Sequence, residues 1–203
     1  MTVSIVTPTN PCRVLVIGRA ATVWDELAAA RELSRFDALV VINVVGRDIK
    51  EPFDHWVSYH PELFRLWMEK RRVAGLPLYP QVKLWSGRSR SGKKLGYKLN
   101  LPLPFDHVEM WGGSSGLLAT VVALRRLEAT HVVLCGVPMM STARMDDSTN
   151  WRLDEVTAYR GDWVKEAPRL TRVRSMSGWT QELLGAPTTE WLRTAPSLSL
   201  IHI

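Results

Sequence analysis

Residues 13–46 read RVLVIGRAATVWDELAAARELSRFDALVVINVVG, and this stretch decides the fold. RVLVIG (13–18) is a short apolar run that closes in a glycine. In the TVWDELAAARELS that follows, Val23, Leu27, Ala30 and Leu33 recur at helical spacings. Thr22 stands at the N-cap position, and Asp25 and Glu26 fall in the first turn, where carboxylates are favoured. DALVVINVVG (37–46) is continuously apolar and β-branched, as a parallel strand covered on both faces must be. Strand, tight turn, helix and strand make a βαβ unit, which predicts a parallel sheet with helices packed on it.

The rest of the chain extends that alternation. DHWVSYHP (54–61) reads as a third strand, and Pro61 suits the first turn of a helix, PELFRLWMEKRRVAG, whose Phe64, Trp67, Met68 and Arg71 share one face before Gly75 ends it. PLYPQVKLW holds two prolines, so it is expected at most as an edge strand or an extended segment. After a basic stretch and a proline-rich connection, VEMW (108–111) leads into GGSSG (112–116) and a helix, SGLLATVVALRRLEA, apolar on nearly every face until Arg125. THVVLCGVPM (130–139) is a further buried strand, closed by Gly136 and Pro138. MSTARMDDSTN is a polar loop, WRLDEVTAYRGDWVKEA a mixed helix and LTRVRSM a candidate last strand; GWTQELLG and PTTEWLRT are short helices. The expected architecture is α/β: a three-layer Rossmann-like sandwich around a mainly parallel central sheet, in one domain over 1–197, with 150–197 as a C-terminal helical extension.

Composition narrows the setting. The chain has 203 residues, 46% of them hydrophobic, enough for one domain with a core. Its net charge of +6 implies attraction to polyanions. Cys12 and Cys135 both flank predicted buried strands, which argues against a disulfide framework or a cysteine-based zinc site and fits a reducing cytoplasm. No run approaches a transmembrane helix, and MTVSIVTPTN lacks the regions of a signal peptide, so no membrane partner is expected. Of the nine tryptophans most are expected in the core. LSLIHI (198–203) spells what a sequencing-library transposase adapter encodes in one frame; it is read as appended during assembly of environmental DNA and excluded from the fold argument.

In parallel α/β sheets ligands bind outside the carboxyl ends of the strands, at the point where strand order reverses, and that rule ranks the loops. At Gly18-Arg19-Ala20-Ala21-Thr22 the start of the helix could hold a phosphate or carboxylate, or the turn could be an ordinary one. In Gly112-Gly113-Ser114-Ser115-Gly116 two glycines allow close backbone approach and two hydroxyls stand at a helix N-terminus; the alternative is a turn in which Ser115 caps the helix. Asn43 sits in an apolar strand, where an amide is costly unless hydrogen-bonded, to a base or ribose or to a neighbouring loop. Asp54, His55, Ser58 and His60 concentrate polar chemistry on the third strand, with His60 at its end a candidate general base and Asp54 a candidate catalytic companion. Asp146 and Asp147 could bind a divalent metal such as magnesium, or be solvated. GRSRSGKKLG (87–96) nearly spells a phosphate-binding loop, but Lys94 stands where the magnesium-binding hydroxyl belongs, and no buried strand and helix flank it. With Arg88, Arg90, Lys93, Lys94 and Lys98 and no acid between them, it is a cationic loop: a solvated one, a lid over donor phosphates, or a contact to DNA backbone.

Taken together, the Gly turn after the first strand, VIN, DHWVSYHP, GGSSG before a long apolar helix, and VVLCGVPM resemble the sialyltransferase-like fold over roughly residues 13 to 140. That group includes bacterial sialyltransferases using a CMP-sugar donor, motility-associated accessory proteins, and archaeal 6-hydroxymethylpterin diphosphokinases; small phage-encoded proteins share the motif order. The resemblance implies that Gly18, Thr22, Asn43, Ser114, Ser115 and Gly116 contact a donor nucleotide; Arg19 in the first turn, Gly112 and Gly113, and the strand-closing Gly136 are further candidate nucleotide-binding residues. It departs from the family where G-x-G-P-S becomes Gly18-Arg19-Ala20-Ala21-Thr22, and where the acid of G-[IV]-D becomes Pro138. The function it implies is a nucleotide-binding transferase, a phage-type glycosyltransferase with a nucleotide-sugar donor and, given the basic charge, an acceptor such as a modified base in DNA. Pyrophosphoryl transfer from ATP and noncatalytic nucleotide sequestration are the rivals.

Overall fold

The computed structural model of the chain describes residues 12–87, 107–109, 113–145 and 153–194. Strand alternation sets the layers. β1 (Arg13–Ile17) sends Val14 and Val16 to one face and Leu15 and Ile17 to the other, and all four are fully buried. β2 (Ala38–Ile42), β3 (His55–Ser58), β4 (Lys83–Gly87) and β6 (His131–Cys135) repeat this, dividing Val40, Val57, Trp85 and Val132 from Val41, Trp56, Leu84 and Val133. With both faces covered, the strand interiors are apolar, as a parallel sheet requires, and polar residues such as His55, Ser58 and His131 stand at strand ends.

The sheet has seven strands in the order β5-β4-β3-β2-β1-β6-β7, with β5 at His107–Glu109 and β7 at Val173–Ser175. Every neighbouring pair is parallel. The chain runs outward from β1 to β5, then crosses back to place β6 on the other side of β1; strand order therefore reverses between β1 and β6. α1 (Val23–Leu33) and α3 (Phe64–Val73) cover one face through Val23, Leu27, Phe64 and Trp67. α4 (Ser115–Arg126) and α5 (Leu153–Glu166) cover the other through Leu117, Leu118, Val122 and Trp163. This is the three-layer α/β sandwich expected.

Three local readings are corrected. Pro77 and Pro80 precede the ladder, so the proline-free Lys83–Gly87 pairs on both sides, with β3 and β5, and is not an edge. β2 stops at Ile42, because Asn43 takes a φ of 52° and the chain turns into a short helix, α2 (Val45–Asp48). Arg71 of α3 holds that turn in place: fully buried, its guanidinium donates to the carbonyls of Gly46 (3.1 Å), Ile49 (2.5 Å) and Pro77 (2.7 Å) and lies 5.3 Å from the Phe53 ring centre. Finally, the segment after residue 150 is no mere helical extension, since β7 joins the sheet beside β6.

The amino edge of the sheet is latched by the last described helix. α6 (Gly178–Leu184) contributes Leu184 to one core, and α7 (Thr189–Arg193) contributes Leu192 to the other. Arg13 Nε donates to the Leu192 carbonyl at 3.1 Å, and His131, buried at the start of β6, meets the Trp191 ring edge-on at 4.7 Å between centroids. Burial, reinforced by Arg13, lowers the pKa of His131 below its ordinary value of 6.5.

Candidate functional site

The switch point between β1 and β6 is the first place to look for a ligand. Here the protein closes it with its own backbone. Gly18 N–H donates to Cys135 O (2.7 Å), Ala20 N–H to Gly136 O (3.1 Å) and Ala21 N–H to Ala143 O (3.0 Å), while Met145 N–H donates back to Arg19 O (2.9 Å). Ala20 and Arg144 thus form an antiparallel bridge across the mouth of the crevice. A Cβ on Gly18 would lie 2.4 Å from Gly136 O, and one on Gly136 would lie 2.8 Å from Gly18 O. These glycines allow the two loops to meet, rather than letting a phosphate approach.

Glu26 locks this closure. The carboxylate, nearly buried on the first turn of α1, accepts the Gly136 N–H (2.7 Å) on one oxygen and the Ser177 hydroxyl (2.6 Å) and Thr22 hydroxyl on the other. Thr22 is the N-cap residue, but its side chain caps nothing and is given to Glu26 instead. Three loops, after β1, β6 and β7, are joined by one side chain. Burial, with Glu26 adding to it, also pushes the Cys135 thiol far above its ordinary range, so Cys135 is no nucleophile.

At the start of α4 the capping residue is Ser114, not Ser115. Its hydroxyl accepts Leu117 N–H (3.3 Å) and the Trp163 indole N–H (3.2 Å), which ties α4 to α5. The first-turn N–H groups of Ser115 and Gly116 are donors that the helix itself does not use. Gly113, at a φ of 96°, has Asp162 beside it: a Cβ there would lie 3.1 Å from Asp162 Oδ2. Gly116 is pressed against Val137.

The carboxyl ends of β2 and β3 carry the remaining polar chemistry. Asn43 is fixed by its backbone, with N–H to Val57 O (3.0 Å) and the Trp56 indole N–H donated to Asn43 O (2.6 Å). The His60 N–H donates to Ser58 Oγ (2.8 Å), and the Ser58 hydroxyl in turn donates to Asn43 Oδ1 (2.7 Å). That sequence of donors orients the Asn43 amide with Oδ1 inward, leaving Nδ2 as a donor for a further partner. The His60 side chain is 55% exposed, and its Nδ1 lies 3.3 Å from Oε1 of Glu62.

Asn43 and His60 are therefore brought together through Ser58, but Asp54 is not. Asp54 lies at the amino end of β3, roughly 20 Å along the chain from His60 at strand rise, and its carboxylate accepts the Leu39 N–H (2.9 Å). As a catalytic companion of His60 it is ruled out by position. His55 is buried at the same end, its Nδ1 accepting the Trp85 indole N–H (3.0 Å). Gly112, Asp146 and Asp147, and the cationic residues Arg88, Arg90, Lys93, Lys94 and Lys98, lie outside the described residues. Among the described residues no group of three or more His, Cys, Asp or Glu is placed to hold a metal, and no helix is long and apolar enough to cross a membrane.

Two residues of the edge escaped the sequence reading as site components. Glu26 registered only as a first-turn acid, and its partner Ser177 is 151 residues away. Glu62 follows His60 by two positions in His60-Pro61-Glu62, a local signal that was there to be read. Compared with protein-family models, with characterised proteins and with solved structures, the chain finds no match.

Proposed function

We propose that the chain is a nucleotide-binding transferase of glycosyltransferase type, which moves a sugar from a nucleotide-sugar donor onto an acceptor hydroxyl at the carboxyl ends of β2 and β3. The observation that carries this reading is the exposed His60 imidazole at the carboxyl edge, on a backbone fixed through Ser58 and Asn43. In the step envisaged, the acceptor O–H gives its proton to the imidazole, and the oxygen forms a bond to the anomeric carbon. The bond from that carbon to the nucleotide phosphate breaks, its electron pair leaving with the nucleotide. Asn43 Nδ2 is a donor for the nucleoside or the sugar. The Ser115 and Gly116 N–H groups would bind donor phosphates, and if magnesium accompanied the donor, the Asp162 carboxylate beside Gly113 would hold it and the ion would neutralise phosphate charge.

A second reading, a binder that holds a nucleotide without turning it over, draws on the sealed first turn and on Pro138 standing where the resembled family keeps an acid. One experiment addresses both. Thermal unfolding is followed with CMP, UDP, GDP, ATP and their sugar conjugates, with and without magnesium. A ligand at about 100 times its Kd stabilises by about 2.7 kcal/mol, which raises the unfolding temperature by roughly 5–10 °C for a chain of this size. Stabilisation by a nucleotide sugar, followed by its turnover with a hydroxyl acceptor, supports transfer; stabilisation by ATP and magnesium alone points to pyrophosphoryl transfer. Binding without turnover selects the second reading, and no shift with any nucleotide removes both.

A further inference from the structure

We propose that Glu62 is the positioning residue for His60, holding its imidazole as the Nδ1–H tautomer so that Nε2 is the proton-accepting nitrogen on the carboxyl edge. This rests on the reading of His60 as the group that takes the acceptor proton, and adds the residue that would aim it.

The geometry begins with the turn His60-Pro61-Glu62. Pro61 restricts the backbone between the two side chains, Leu63 N–H closes a short 3-10 turn on His60 O (3.0 Å), and His60 N–H is tied to Ser58. The histidine is thus anchored on its main chain and free only about its side-chain torsions. Glu62 lies on the buried side of the turn, its side chain 16% exposed against 55% for His60. Nδ1 and Oε1 stand 3.3 Å apart, slightly beyond the usual reach, as catalytic hydrogen bonds often are before a ligand closes on them.

The second observation concerns the other carboxylate oxygen. Glu62 Oε2 is buried and makes no hydrogen bond. A carboxylate desolvated on one oxygen and without a donor there depends on what its other oxygen can accept. The Nδ1–H of His60 is the donor placed to serve it. A neutral imidazole has one N–H; if that proton sits on Nδ1, the lone pair is on Nε2. When Nε2 takes a proton from a ligand hydroxyl, the O–H bond breaks, the N–H bond forms, and the imidazolium charge arises beside the Glu62 carboxylate, which offsets it. Aspartate or glutamate behind a histidine base does this in unrelated hydrolases by holding tautomer and orientation.

The test reads the tautomer in the intact, unliganded chain, so it does not depend on any nucleotide. With 15N-labelled histidine at about pH 8.5, where imidazoles are neutral, two-bond proton-nitrogen correlation identifies which His60 nitrogen carries the proton. The wild type is expected to show Nδ1–H, and Glu62→Ala is expected to move the proton to Nε2. Wild-type His60 already in the Nε2–H form overturns the proposal. So does an Nδ1–H form that persists in Glu62→Ala. Should that variant fold poorly, the wild-type spectrum alone decides. Loss of nucleotide binding in the thermal screen would remove the transferase reading and leave this result standing, so the two failures can be told apart.

Discussion

At the carboxyl ends of β1 and β6, Gly18, Ala20 and Ala21 give their N–H groups to protein carbonyls, and Glu26 pins the loops together from behind. Two strands away, at the ends of β2 and β3, Asn43 keeps an amide donor outside the protein's own network, and His60 keeps an exposed imidazole whose Nδ1 alone lies beside a protein carboxylate, that of Glu62. Both regions lie on the same edge of one parallel sheet. The difference teaches that strand order alone does not place a ligand: the reversal point opens a crevice, but the crevice serves chemistry only if the flanking loops do not use it for themselves. Here they do, and the usable groups lie beside it.

The comparison can be broken most sharply at the glycine pair. Gly18→Ala puts a methyl group within 2.4 Å of a backbone oxygen, and nothing there is flexible enough to yield. It is expected to cost about 3 kcal/mol or more, a fall of roughly 6–12 °C in unfolding temperature, measured by thermal or urea unfolding. If the variant is as stable as wild type, the seal is not closed as described. Glu26→Ala leaves the buried Gly136 N–H without an acceptor and should cost about 2 kcal/mol in urea titration, with little change in the slope. At the open site the same measurement should give less. Ser58→Ala breaks the link between Asn43 and His60 for about 1 kcal/mol, while His60→Ala should lie within about 0.5 kcal/mol of wild type and yet abolish the transfer proposed for this edge. A large stability loss in His60→Ala would place it among the structural residues and remove the contrast.

The smallest effect belongs to the opposite, amino edge. The pKa of His131 is depressed by burial first and by Arg13 next, so the folded state holds it neutral where the unfolded chain binds a proton. Its stabilising effect is therefore complete above the ordinary value of 6.5 and is lost as pH falls from there toward the lower folded value. Unfolding temperature followed from pH 7.5 downward should drop below about pH 6.5 in wild type and drop less in His131→Asn. Equal slopes in the two proteins would remove His131 from the account.

Much of this was legible in the sequence because it is local. Continuous apolar runs fixed β1, β2 and β6, and the spacing of Phe64, Trp67 and Arg71 fixed the buried face of α3. What was not legible depends on contacts between distant residues. The prolines of PLYP suggested an edge because nothing local shows that the ladder begins only at Lys83. Asn43 looked like a strand residue because its left-handed turn is set by Trp56 and Val57, which grip its backbone from β3. The candidate site divides differently: His60 was found as a histidine at a strand end, and Asp54 was misassigned although the strand reading itself separates the two, since residues at opposite ends of one strand lie on opposite edges of the sheet.

The hydrogen bond from Arg13 to Leu192 has a topological consequence. It holds Arg13 and Leu192, each close to an extreme of the described residues, on the same edge of the sheet and on the side away from His60. A short linker joining them, with new ends cut at the exposed Gly75, where no atom lies within 4 Å of an added Cβ, gives a circular permutant that keeps every strand pairing. By the same geometry, the domain could be spliced as an insert into a surface loop of a host protein and still present its carboxyl edge outward.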